Sequence, residues 1–171
     1  INGIAVNSDG TLFLACSFDP DLTGPQPALP TIVQYDPVAQ TVLNHNYGNP
    51  NLPSGYTLRH IMYHEGKVYV LNTDTSFPYD MEILAFDRNL AFIAAAGSYA
   101  GDPDSKITSP MQFFFPIRFV AVLNRRITLM DDDYIGTYHH DRLVQFSNLD
   151  GGDWSIYGDY GSGIGFFSFY S

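Results

Sequence analysis

Gly10-Thr11-Leu12-Phe13-Leu14-Ala15-Cys16, Gly66-Lys67-Val68-Tyr69-Val70-Leu71-Asn72 and Arg125-Arg126-Ile127-Thr128-Leu129-Met130-Asp131 are three versions of one strand. Leu12 and Leu14 match Val68 and Val70, then Ile127 and Leu129, so one face of each is apolar with the period of two that a buried strand requires. Seven residues upstream of each lies another short apolar stretch: Gly3-Ile4-Ala5-Val6, Arg59-His60-Ile61-Met62 and Arg118-Phe119-Val120-Ala121. Asn7-Ser8-Asp9-Gly10, His64-Glu65-Gly66 and Leu123-Asn124-Arg125 join the two as hairpin turns.

Downstream the pattern continues. A third strand is predicted at Ile32–Asp36, Ile83–Asp87 and Leu143–Ser147, and an outermost one at Thr41–Asn44, Leu90–Ile93 and Trp154–Tyr157. Each outer strand leads to a glycine, Gly48, Gly97 or Gly158. Four strands per unit, a period of about 50–60 residues and no helical periodicity predict an all-β chain of four-stranded antiparallel sheets, arranged as β-propeller blades. About three blades fit, approximately 1–55, 56–115 and 116–165, with the glycine-rich Gly161–Phe169 stretch as the start of a further blade. Three blades do not close a ring and would leave apolar sheet faces in water. The rest of the propeller is therefore expected from the same longer chain or from another copy, and a start at Ile1 fits a segment of something longer.

The connections differ where the strands agree. Residues 17–31, 73–82 and 132–142 join the second and third strands, and the first of these carries Pro20, Pro25, Pro27 and Pro30, which forbid a regular ladder. Ser98–Pro116 forms a long passage between units two and three, of a length that suggests a contact loop.

Composition narrows the partners. Lys and Arg number 8 against 18 Asp and Glu, a formal charge of −10, so the average field repels nucleic acid and anionic lipid. No apolar run reaches the ~18 residues of a membrane span. Cys16 is the one cysteine, which excludes an internal disulfide and a cysteine zinc cluster; its place in the repeat fits a small buried thiol. Acidity and sparse cysteine suit a secreted or periplasmic protein as well as a cytosolic one, and the Asn- and Gly-rich loops favour the former, including a surface-anchored lipoprotein.

Gly3-Ile4-Ala5-Val6-Asn7-Ser8-Asp9-Gly10-Thr11-Leu12-Phe13-Leu14 resembles the NHL-repeat signature. Ile127–Asp131 followed by Asp141-Arg142-Leu143-Val144-Gln145-Phe146 resembles its second half, with an Asp and an Arg-hydrophobic-Gln-aromatic strand. Units one and two depart from it: Cys16 and Asn72 replace the Asp, and Thr31 and Glu82 replace the Arg. The resemblance implies an NHL-like or six-bladed TolB-like propeller, a scaffold used for protein binding, for sugar or lactone hydrolysis and for lyase chemistry. Fold alone does not choose among them.

Candidate sites follow from position. Arg59 and Arg118 fall at matching places of the innermost strand and would form an anion site near the axis, or else pair with a carboxylate of a neighbouring unit. Asp131-Asp132-Asp133, with Asp74 aligned to Asp133, is an acidic cluster at a strand end, able to converge on a hard cation such as Ca²⁺ or to remain solvated. His139-His140-Asp141, with His60 and His64, would hold zinc only if histidines of several blades met at the axis, and otherwise are polar loop residues. Tyr134 and Tyr138, with Phe77, Tyr79 and Phe113–Phe115, offer an aromatic rim for a ligand. The site residues do not recur in all three units, which favours a non-catalytic scaffold presenting a loop face to a protein or carbohydrate partner, with no cofactor. The alternative is a Ca- or Zn-dependent hydrolase or lyase of the gluconolactonase-like or amidating-lyase-like kind.

Overall fold

A computed structural model describes residues 1–17, 20, 27–73, 81–99, 111–113, 116–131, 142–150 and 152–158. Among these residues all regular structure is β. The first sheet has the order β1 (Gly3–Val6), β2 (Leu12–Cys16), β3 (Thr31–Asp36), β4 (Thr41–His45). The second follows as β5 (Leu58–His64), β6 (Lys67–Thr73), β7 (Met81–Asp87), β8 (Phe92–Ala96). A short parallel pair, β9 (Ser98–Tyr99) with β10 (Gln112–Phe113), pins both ends of the long passage. The third sheet is β11 (Pro116–Leu123), β12 (Arg126–Asp131), β13 (Arg142–Phe146), β14 (Ser155–Tyr157). Every pairing within the three larger sheets is antiparallel between sequence neighbours.

The turns explain the meander. Glu65 and Gly66 (φ 48° and 78°), then Asn124 and Arg125 (φ 51° and 63°), form two-residue hairpins with both central residues left-handed, the turn whose twist matches paired strands. The β1–β2 turn is longer and closes through Asn7 N–H to the Thr11 carbonyl (2.9 Å). Between third and fourth strands of the first two sheets one carboxylate organises the turn: Asp36 Oδ1 accepts the Val38 and Ala39 amides, and Asp87 Oδ1 the Asn89 and Ala91 amides.

The sheets stack in sequence order through alternate side chains of the second one. Ile61, Val68, Val70, Leu84 and Phe86 join Ala5, Phe13, Ala15 and Ile32 of the first sheet in one core. From the opposite face of the second sheet, Tyr69, Leu71, Ile83 and Ala85 join Phe119, Ile127, Leu129, Val144 and Phe146 of the third in another. Buried on both faces, β6 reads as the near-continuous apolar run Val68-Tyr69-Val70-Leu71, so its alternation separates two cores and not a core from water. Ring contacts reinforce both layers: Phe13 stacks on Tyr63 at 5.2 Å, and Phe146 on Trp154 at 4.6 Å. First strands come closest where the side chain is smallest, since a Cβ at Gly3 would lie 3.1 Å from Ile61 Cγ2.

An up-and-down meander sorts its connections by end. The first-to-second and third-to-fourth turns fall at one end. The second-strand ends Cys16, Asn72 and Asp131 fall at the other, with their partners Thr31, Glu82 and Arg142.

Candidate binding end of the stacked sheets

Three cross-strand pairs mark the loop-bearing end, and they occupy one position of the repeat: Cys16 opposite Thr31, Asn72 opposite Glu82, and Asp131 opposite Arg142. Two strand positions before each, on the same face, are Leu14, Val70 and Leu129, so the second and third pairs lie on the face directed toward the preceding sheet and the first on the corresponding face of the first sheet.

Their chemistry differs while their task is shared. Cys16 is fully buried and its thiol points at the Thr31 carbonyl (3.5 Å), the small buried thiol expected from sequence. Asn72, also fully buried, accepts the Thr57 amide at Oδ1 (3.0 Å), just before β5 begins. Asp131 (0% exposed) and Arg142 (5% exposed) form an ion pair through Arg142 Nε (2.7 Å) and Nη2 (2.6 Å) on Oδ2. Arg142 Nη2 also donates to the Gln112 carbonyl, in the segment that leads into β11. In units two and three the pair thus holds the chain just upstream of its own sheet's first strand.

A pocket of about 270 Å³ opens beside the second of these pairs. Pro50, Pro53, Leu84 and Phe92 supply its apolar wall, and Asn51, Tyr56 and Glu82 its polar groups. Tyr56 donates its hydroxyl to Glu82 Oε2 (2.7 Å), which orients the carboxylate beside the ring. An aromatic face next to an oriented carboxylate and an amide suits a sugar ring or a cationic side chain, with stacking on one side and hydrogen bonds on the other. Tyr56 and Glu82 come together from the inter-sheet link and from β7; no repeat marks Tyr56, and only the Glu82 replacement of an Arg hinted at a local change.

On the innermost strands the register departs by one residue from the alignment of Arg59 with Arg118. Arg118 faces Met130 and its equivalent in the second sheet is His60, which faces Leu71; Arg59 is the extra residue of a bulge between Leu58 and His60. Both arginines are exposed. His60 packs against Phe119 (ring centroids 5.9 Å), and its pKa is held below the usual histidine value of 6.5, first by burial and then by the Arg118 charge. His60 Nδ1 is buried without a hydrogen-bond partner among the described residues.

Of the acidic cluster, Asp131 is the described member and its carboxylate is engaged by Arg142; Asp74, Asp132 and Asp133 lie outside the described residues. So do Tyr134, Tyr138 and the His139-His140-Asp141 run, together with Phe77, Tyr79, Phe114 and Phe115. Phe113 is fully buried in the core between the second and third sheets, against Trp154, and does not belong to a rim. No group of three or more potential metal ligands occurs among the described residues. No helix among them is long and apolar enough to cross a membrane. No protein-family model matches the chain, and no curated protein matches it.

Proposed function

We propose that the three sheets are consecutive blades of an NHL-like or TolB-like propeller, and that the protein is a secreted or periplasmic scaffold whose loop-bearing end binds a protein or carbohydrate partner. One observation carries this reading. The first-to-second and third-to-fourth turns close one end of the stack, while the second-to-third connections, which differ in length from unit to unit, and the Tyr56–Glu82 pocket share the other. Loops on a rigid stack are where binding chemistry varies without disturbing the core. The metal-dependent hydrolase or lyase alternative draws no support from Asp131, whose charge is already matched by Arg142.

The test is a glycan array and a peptide array probed with the labelled protein. Ligands retained by the wild type should be lost by Tyr134→Ala/Tyr138→Ala or by Glu82→Gln with an unchanged unfolding midpoint. Arrays without signal, or a signal that survives both variants, overturn the loop-end assignment. Chelator-sensitive turnover of a bound glycan would establish the enzyme in its place.

A further inference from the structure

Glu82 carries a charge that no cation matches among the described residues. At the same repeat position in the third sheet Arg142 meets Asp131, and the two charges cancel inside the fold. In the second sheet the cross-strand partner is Asn72, which is neutral and accepts the Thr57 amide at Oδ1. Glu82 is half-buried and its Oε2 accepts the Tyr56 hydroxyl, but no arginine, lysine or histidine among the described residues pairs with it. A carboxylate partly removed from water beside apolar walls favours a counter-charge in the space that it lines.

The polar groups around that space are weighted toward acceptors. The Tyr56 hydroxyl proton is committed to Glu82, and one Asn51 side-chain proton to Asn49 Oδ1 (3.1 Å). The Asn51 and Tyr56 backbone amides donate to Asn49 Oδ1 (2.9 Å) and to the Pro53 carbonyl (3.0 Å), and Pro50 and Pro53 have no amide proton. Among these groups the second Asn51 side-chain proton stands against two acceptors, Glu82 Oε1 and Asn51 Oδ1. A guanidinium or ammonium brings donors alone, whereas a sugar hydroxyl brings donor and acceptor together. Pro50, Pro53 and Phe92 offer apolar surface to an aliphatic stem, and Tyr56 a ring to a cation.

Size and rigidity agree with a single side chain. A volume of about 270 Å³ lies just under the roughly 300–1,000 Å³ of sites for drug-sized ligands. The link that forms one wall is set in advance by three successive turns, Asn49 N–H to the Asn46 carbonyl, Leu52 N–H to that of Asn49 and Tyr56 N–H to that of Pro53, with Leu52 anchored in the core. A net charge of −10 adds long-range attraction for a basic partner.

We infer that the Tyr56–Glu82 pocket takes an arginine or lysine side chain of a protein partner, its cationic head on Glu82 and its stem along Pro50, Pro53 and Phe92. The inference rests on the loop-end binding reading above and narrows the partner to a basic peptide segment.

Titration of the isotope-labelled protein with acetylarginine amide, acetyllysine amide, acetylcitrulline amide and methyl glucoside, followed by backbone amide shifts, tests it. The two cations should move Asn51, Tyr56, Glu82 and Ala95 at millimolar concentration, the range that a ligand of about 15 non-hydrogen atoms reaches. Citrulline, the uncharged counterpart of arginine, should bind at least about 10-fold more weakly, and Glu82→Gln should weaken arginine by roughly 10- to 100-fold with the rest of the amide spectrum unchanged. No shift with either cation, equal binding of citrulline, or stronger binding of methyl glucoside at the same residues overturns the inference. An array ligand lost with Tyr134→Ala/Tyr138→Ala, together with a pocket that neither cation perturbs, would sink this inference and leave the loop-end reading standing.

Discussion

Replacing Arg142 by Thr, the residue that unit one carries at the same place, should destabilise the fold by about 3–5 kcal/mol, because it takes the guanidinium away from the buried Asp131 carboxylate. Asp131 is fully buried, and Arg142 Nε and Nη2 both contact its Oδ2. The double variant Asp131→Cys/Arg142→Thr rebuilds the Cys16–Thr31 pair in the third sheet and removes the stranded charge. What remains is the lost bond to the Gln112 carbonyl and some packing, roughly 1–2 kcal/mol. The double variant should therefore be about 2–3 kcal/mol more stable than Arg142→Thr alone, which makes the two substitutions strongly non-additive. Urea unfolding followed by tryptophan fluorescence reads this directly, since Trp154 stacks on Phe146 in the same sheet. With a slope of about 2 kcal/mol per M, the single variant moves the midpoint down by roughly 2 M and the double by less than 1 M. A double variant as unstable as Arg142→Thr would refute the equivalence of the three pairs. A single variant costing under about 1 kcal/mol would mean that Asp131 has another partner able to hold its charge.

Two further outcomes follow from the inner strands and the hairpin tips. Because His60 binds its proton less readily folded than unfolded, its contribution is intact above about pH 6.5 and is lost as pH falls through the lower folded-state value; His60→Gln should flatten the stability curve between pH 7 and 5, and an unchanged slope would refute the assignment. Arg125 occupies a left-handed position (φ 63°), and its ion pair with Glu65 (2.6 Å) is largely exposed, so Arg125→Gly should raise the urea midpoint by the equivalent of roughly 0.5–1 kcal/mol; a fall would mean that the tip-to-tip pair outweighs the backbone strain.

The repeat made the strands legible because each is defined by facing residues, and the period of two survives substitution. All twelve expected strands are present, within a few residues at their ends, and Gly48, Gly97 and Gly158 all have positive φ. Two departures share a physical cause. The strand expected at Leu90–Ile93 forms at Phe92–Ala96, because Leu90 (φ 65°) closes the turn on the Asp87 carbonyl and is buried from there; its apolar side chain fills the core without belonging to a ladder. Arg59 aligns with Arg118 by counting, but β11 carries one more bulge than β5, at Val120, so Arg118 matches His60, and nothing in the order of side chains records a bulge. The site was less legible than the fold. Asn72 and Glu82 were visible as replacements within the repeat and Arg142 as the residue they depart from, whereas Thr57, Tyr56 and Gln112, which they engage, belong to links that do not repeat.

The same division explains how one position tolerates Cys–Thr, Asn–Glu and Asp–Arg. Sheet-to-sheet adhesion comes from alternate apolar side chains along the strands, which must keep their period and volume or lose a core face. At the strand ends the requirement is only that buried polar atoms find partners, and in two of the three units the pair also fastens the chain before its own first strand. An amide, a carboxylate with a tyrosine and a carboxylate with a guanidinium all meet that demand. Where the pair is least enclosed, at Glu82, the carboxylate also lines a pocket. Restoring the repeat there by Glu82→Arg would place a cation against Tyr56 in the pocket, and ligand recognition should fail while the three sheets stay stacked.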